Sequence, residues 1–353
     1  MHYLATMKKI VITLLLFTVW GKGITQQLHD AGVELLEEGF IYDEAPFPQC
    51  HSSTLVGMDN GSIMAAWFGG THERHPDVSI YTSVYDGSNW SVPVKVADGE
   101  VSDSLRYPAW NPVLFRNKTG TLFLYYKVGP SPSEWWGLYK TSDDDGKSWS
   151  ESKKLPEDIL GPIKNKPIVL EDGTIISPSS TEDGELWKVH MEISGDGGFT
   201  WKNIPVDHGS AYKAIQPTLI VLGNGTIKAL IRSDQNVILQ SESKDNGKTW
   251  SVLEKSDVAN PNSGIDAVTL DNGKYLLVYN PMLAGENWWE GRSKLNLAYS
   301  ENGKQWNDIY VLENEEKGEF SYPAIIQAPD GTVYITYTYN REKIRYVKLR
   351  MKE

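Results

Sequence analysis

The 353-residue sequence predicts an all-β fold, a six-bladed β-propeller with four antiparallel strands in each blade. Two repeats running in register carry that prediction. The first is an eight-residue frame, Ser-x-Asp-x-Gly-x-Thr/Ser-Trp, complete in Ser142–Trp149, Ser194–Trp201 and Ser243–Trp250. Weaker copies stand at Ser83–Trp90, where Tyr85 replaces the Asp, and at Ser300–Trp306, one residue short and carrying Asn302. The second repeat is a turn ending in glycine and followed by alternating apolar residues, at Gly61, Gly120, Gly173, Gly225, Gly273 and Gly331. That pattern is a hairpin signal, and it occurs six times.

Each element of the frame has a physical job in a turn. Asp bonds backbone amides just ahead of it, Gly supplies a positive φ, Ser or Thr ties down a neighbouring amide, and Trp anchors the loop in a core. The frame is therefore a folding device and not a catalytic one. In order, each unit reads strand, glycine turn, strand, long loop, strand, box, strand. The sixth unit has no box after Arg341–Lys348, so a strand from Val33 to Asp43 is expected to complete it and close the ring. Closure removes the sheet edges that an open array would expose.

Repeats that cannot bury their faces singly make one domain, residues 27–353, the expectation. Met7–Trp20 has two lysines followed by a short apolar run, which reads as a secretory signal removed by about residue 26. A periplasmic or secreted protein without a membrane anchor follows. Cys50 is the only cysteine, so no internal disulfide is expected. The formal charge of -12 argues against nucleic acid as a partner. No sequence pattern implies a nucleotide, metal or other cofactor. The 13 Trp and 18 Tyr suit sugar stacking as well as a propeller core.

Topology then locates the site. If glycine turns and boxes share one rim, the start of the first strand and the end of the second lie at the other, near the axis, where propellers bind ligands. Nine residues before each turn glycine stand Ser52, Asn111, Lys164, Gln216, Gly264 and Tyr322; seven after stand Phe68, Lys127, Ser180, Arg232, Asn280 and Thr338. Around them lie His51, Glu73, Asp77, Arg106, Trp110, Lys166, Asp266, Arg292, Glu319 and Arg341. Five cations (Lys127, Lys164, Lys166, Arg232, Arg292) at one end of an acidic chain predict a pocket for an anionic group. A network of structural salt bridges is the alternative reading of the same residues.

These residues resemble the sialidase superfamily over essentially all the chain after the signal, and GPIKNKP, NPNSGID, EFSYPA and YTYNR resemble its bacterial and plant neuraminidase-like group. The resemblance implies a propeller on which arginines hold a substrate carboxylate, a Tyr paired with a Glu is the nucleophile, and an Asp in a mobile loop is the acid/base. Tyr suits the role because a neutral nucleophile is not repelled by that carboxylate. Arg232 and Arg292 match two of the arginines, and Tyr322 matches the nucleophile. Glu73 lies in the loop that bears the acid/base. Two departures stand out: Cys50-His51-Ser52 replaces the motif bearing the first arginine, and Gln216 stands near the place of the nucleophile's Glu, which leaves Glu319 as the available carboxylate. The implied function is an exported exo-acting glycoside hydrolase removing a terminal acidic sugar from an oligosaccharide or glycan. The alternatives are a lyase or dehydratase acting on a uronic acid, with His51 or Tyr322 as base, and a glycan-binding propeller without chemistry.

Overall fold

A computed structural model describes residues 32–352, apart from 185, 207–211 and 288. The signal-like segment expected over residues 1–26 lies outside the described residues. Six four-stranded antiparallel sheets form the blades. In chain order they are blade 1, β2 (Gln49–Gly57), β3 (Ile63–Gly70), β4 (Ser79–Tyr85) and β5 (Val94–Ala97); and blade 2, β8 (Ala109–Arg116), β9 (Leu122–Val128), β10 (Trp136–Ser142) and β11 (Lys153–Lys154). Blade 3 is β12 (Ile168–Val169), β13 (Ile175–Asp183), β14 (Leu186–Ser194) and β15 (Lys202–Pro205). Blade 4 is β16 (Ala214–Val221), β17 (Ile227–Ser233), β18 (Val237–Ser243) and β19 (Glu254–Ala259); blade 5 is β20 (Asp266–Thr269), β21 (Tyr275–Tyr279), β22 (Lys294–Ser300) and β23 (Asn307–Asn314).

Blade 6 joins the two ends of the chain. Its strands β24 (Phe320–Gln327), β25 (Val333–Tyr339) and β26 (Lys343–Met351) are completed by β1 (Val33–Phe40), which runs antiparallel to β26 from Val33 opposite Met351 to Phe40 opposite Arg345. This strand stops three residues short of the expected Asp43. Its successors turn inward instead: Tyr42 stacks on Trp67 with ring centroids 5.3 Å apart and donates its hydroxyl to the Cys50 sulfur, and Phe47 packs on Tyr81. One extra hairpin, β6 (Glu100–Ser102) with β7 (Leu105–Arg106), lies between blades 1 and 2.

The core is a set of apolar layers between neighbouring blades. Leu276, Val278, Leu295 and Leu297 of blade 5, for example, pack against Ile325, Ile335, Tyr337 and Leu349 of blade 6. Strand alternation supplies these faces, and burying them is the main drive for closure.

The boxes form as expected. In the third blade's box the Asp196 carboxylate accepts from the Thr200 amide at 2.9 Å and its hydroxyl at 2.6 Å, while Ser194 Oγ accepts the Gly198 amide at 2.9 Å. Asp144 and Asp245 repeat this with Ser148 and Thr249. Because strand direction alternates, boxes and glycine turns share one rim, and the ends of the second strands, with Arg232, lie at the other.

On that second rim the inner strands depart from regularity in a repeated way. Pairing of the first and second strands slips after His51, Trp110, Ile215 and Ser321, and the next residue, Ser52, Asn111, Gln216 or Tyr322, has φ of 58°, 36°, 55° or 52°. These are β-bulges, which re-aim a side chain at a cost of about 1–3 kcal/mol for a non-glycine residue. They fall at the position nine residues before the turn glycine in four of the six blades.

Candidate active site

Tyr322 is the centre of this rim. Its bulged backbone aims the phenol at β17, where its oxygen accepts from Arg232 Nη1 at 2.7 Å and from Gln216 Nε2 at 3.2 Å. Two N–H donors on one phenol oxygen make a geometry suited to negative charge there. Gln216 is held in turn, because its Oε1 accepts from the same Arg232 Nη1 at 3.0 Å and its amide donates to Ser180 Oγ at 3.1 Å. Close packing needs a small residue opposite: a Cβ on Gly264 would stand 3.3 Å from the Tyr322 ring and 3.4 Å from Lys164 Cε.

Three arginines act on His51, whose ring centroid lies 4.1 Å from that of Tyr322. Arg232 is 8 % exposed, donates its Nε to Asn262 Oδ1 at 2.8 Å, and forms no ion pair among the described residues. Arg292 donates to the Asn262 carbonyl at 3.1 Å and to Glu319 at 3.0 Å. Arg341 clasps the same Glu319 at 2.7 and 3.1 Å and pairs with Glu73 on the blade 1 loop. Burial pushes the Glu319 carboxyl up, but Arg341 and then Arg292 outweigh it and hold it below the ordinary carboxylate range. Burial chiefly, then the charges of Arg341, Arg292, Arg232 and Lys164, holds the His51 imidazole well below its usual range.

Other candidates are placed elsewhere. Of the five cations taken as facing a ligand, three are structural. Lys127 is fully buried on the Pro162 carbonyl, Lys164 ties Asn165, Ile265 and Pro323 across the axis, and Lys166 pairs with Asp266 at 2.8 Å. Burial lowers Lys127 and Lys164 to about 7, against the opposing pull of Glu192 and Asp266 respectively. Asp266 braces three blades, accepting also from Thr218 Oγ1 and the Ile325 amide. Trp110 is buried, with its indole on the Gly129 carbonyl, and Asn111 sits on its bulge. Arg106 pairs with Asp98 at 3.2 Å, and Asp77 is engaged by Thr71 and His75.

Glu73, expected as the proton donor, forms an ion pair with Arg341. Glu319, expected as a partner for Tyr322, is likewise engaged by two arginines and by Ser321 Oγ. Two residues escaped the sequence reading. Asn262 positions both Arg232 and Arg292, and only its place in NPNSGID pointed to it. Glu182 lies two residues beyond Ser180 on β13, hence on the same strand face, and the charges of Arg232, Glu73 and Arg74 all act on it.

A ring of Asp-box blades with a basic, tyrosine-centred pocket on the far rim defines a sialidase-like propeller. The chain belongs to the BNR repeat-like domain family, whose model matches residues 61–335, and with it to the sialidase superfamily. Among curated proteins it is 25 % identical over 326 residues to a sialidase of Bacteroides fragilis, covering 80 % of this chain and 57 % of that one. It is 23 % identical over 223 residues to an anhydrosialidase of Macrobdella decora, covering 56 % and 28 %. The chain thus spans little more than half, or less, of the length of these relatives. Among solved structures, a Dyadobacter fermentans protein of unknown function superposes with a TM-score of 0.74 at 19 % identity, over 91 % of this chain and 100 % of that one. A Hadza microbial sialidase gives 0.71 at 17 %, over 85 % and 65 %.

Proposed function

We propose that the protein is an exported glycoside hydrolase that removes a terminal acidic sugar from a glycan. The observation that carries this is Arg232: a guanidinium nine-tenths buried, without a counter-ion among the described residues, and bonded to the phenol that stands where a nucleophile is needed. An uncompensated buried charge is costly, and a carboxylate on the substrate compensates it. The names of the curated relatives, sialidases and an anhydrosialidase, support the same class of sugar.

In this reading the sugar carboxylate rests on Arg232, flanked by Arg292 and Arg341, with Glu319 keeping the latter two in place. The Tyr322 oxygen attacks the anomeric carbon as the bond to the leaving oxygen breaks; the phenol proton passes to solvent, and solvent returns a proton to the leaving oxygen, which departs as an alcohol. Water then attacks the same carbon and releases the tyrosine. Elimination on a uronic acid with His51 as base is the weaker reading, because burial and then the charges of Arg341, Arg292, Arg232 and Lys164 hold the imidazole well below its usual range and make it a weak base. The test is sugar release from a panel of sialosides and glucuronides, with absorbance near ~235 nm followed for unsaturated product. Tyr322→Phe is expected to lower turnover by about a hundredfold or more with the thermal midpoint unchanged. Near-normal turnover in that variant removes the tyrosine nucleophile.

A further inference from the structure

We infer that Asn262 and Gln216 set the charge selectivity of the pocket: they hold Arg232 through uncharged oxygens and so reserve its charge for one carboxylate of the ligand. The inference rests on the acidic-sugar reading above and adds to it the residues that make the pocket choose an anion over a neutral sugar.

The three arginines are neutralised unequally. Arg341 pairs with Glu319 and Glu73, and Arg292 shares Glu319. Arg232 meets no carboxylate among the described residues, although most of its head is hydrogen-bonded. Its Nε donates to Asn262 Oδ1 at 2.8 Å, and its Nη1 to Gln216 Oε1 at 3.0 Å and to the Tyr322 oxygen at 2.7 Å. Two of these acceptors are amides and the third is a phenol, so the guanidinium is fixed in direction without being neutralised. Three guanidiniums thus meet two carboxylates here, and the unmatched charge belongs to Arg232, whose Nη2 remains for a ligand oxygen.

Acids of the same shape would serve Arg232 equally well as acceptors. An Asp at 262 or a Glu at 216 would offer it an oxygen in the same place, and the added charge would relieve a buried, uncompensated cation. The backbone does not account for the amides. Asn262 has a φ of 56°, a left-handed conformation that Asn and Asp both adopt readily. Its turn is held by other atoms, since Asn260 Oδ1 accepts the Ser263 amide at 2.9 Å and the Asn262 carbonyl accepts from Arg292 at 3.1 Å. The Gln216 main chain is likewise tied apart from its side chain, by Ser180 Oγ at 3.1 Å and Asn165 Nδ2 at 3.1 Å. What a carboxylate at either position would change is the charge: Arg232 would be paired before a ligand arrived, and an incoming anion would meet another one beside it. Gln216 also donates Nε2 to Tyr322 at 3.2 Å, so Asn262 is the position where charge can be altered alone.

The test is the ratio of affinities for N-acetylneuraminic acid and its methyl ester, which lacks the charge, measured by calorimetric titration. The wild-type protein is expected to prefer the acid by about a hundredfold, and Asn262→Asp to cut that preference below about fivefold without lowering the thermal midpoint. Asn262→Gly suits the same backbone and adds no charge; it is expected to lower the midpoint, for want of an acceptor, yet to keep a preference of at least about twentyfold. Gln216→Glu is expected to follow Asn262→Asp, and it carries the same test should that variant fail to fold. An acidic variant that keeps the wild-type preference, or an Asn262→Gly protein that loses it as fully as Asn262→Asp does, overturns the assignment while the acidic-sugar reading stands. A wild-type protein that binds N-acetylneuraminic acid and glucuronic acid no better than their methyl esters overturns that reading and this assignment with it.

Discussion

Tyr322, Arg232 and Gln216 were legible because the turn glycines act as rulers: nine residues back or seven forward lands on the rim near the axis in every blade. Counting fixes a residue's height on the blade and leaves its direction open. Lys127 and Lys164 satisfy the same rule as Arg232, yet their amines end on backbone carbonyls inside the ring. Arg292 shows what direction contributes. Its planar head reaches both Asn262 and Glu319, so a lysine, with one compact ammonium, cannot reproduce the fork that a carboxylate needs. Arg292→Lys is expected to weaken binding of N-acetylneuraminic acid about tenfold, near 1.4 kcal/mol, without lowering the thermal midpoint. Calorimetric titration of the free sugar checks this, and unchanged affinity counts against a role for Arg292 in holding the anion.

At the scale of elements, the closing strand was legible from a deficit, a sixth unit with three strands and no box, and not from its own composition. VELLEEGF carries five glutamate or leucine residues in its centre and has little strand character, so tertiary pairing decides it. What anchors it is Val33, 1 % exposed among Leu349, Val347 and Tyr310. Val33→Asp places a carboxylate in that layer and is expected to cost about 3 kcal/mol in urea unfolding, whereas Glu34→Lys on the exposed face changes stability by less than about 0.5 kcal/mol. Equal effects of the two substitutions show that β1 is not held by its buried edge. The inner strand of blade 3 is the opposite case: a full strand was expected and only Ile168–Val169 pairs, since Pro162 and Pro167 lack amides for a ladder and Lys164 and Asn165 turn to the axis.

For the whole molecule, the boxes govern behaviour in acid. Hydrogen bonds from the Ser148 hydroxyl and amide hold Asp144 at about 2, and those from Thr249 hold Asp245 at about 2, against an ordinary 3.8. Groups with depressed folded-state values contribute stability that is complete above the ordinary value and is lost as pH falls towards the depressed one. The melting temperature is therefore expected to drop between pH 3.8 and about 2, and Asp144→Asn with Asp245→Asn together should flatten that drop. Parallel curves for variant and wild type would show that acid sensitivity lies elsewhere. The joining of β1 to β26 bears on synthesis as well. Counting 343 less 33, 310 residues separate the start of one strand from the start of its partner. At about 5–20 residues per second, the first strand waits roughly 15–60 seconds for the last to be made. Any blades that fold within that interval carry the free edges that closure removes, so association between unfinished chains is expected until β26 is made.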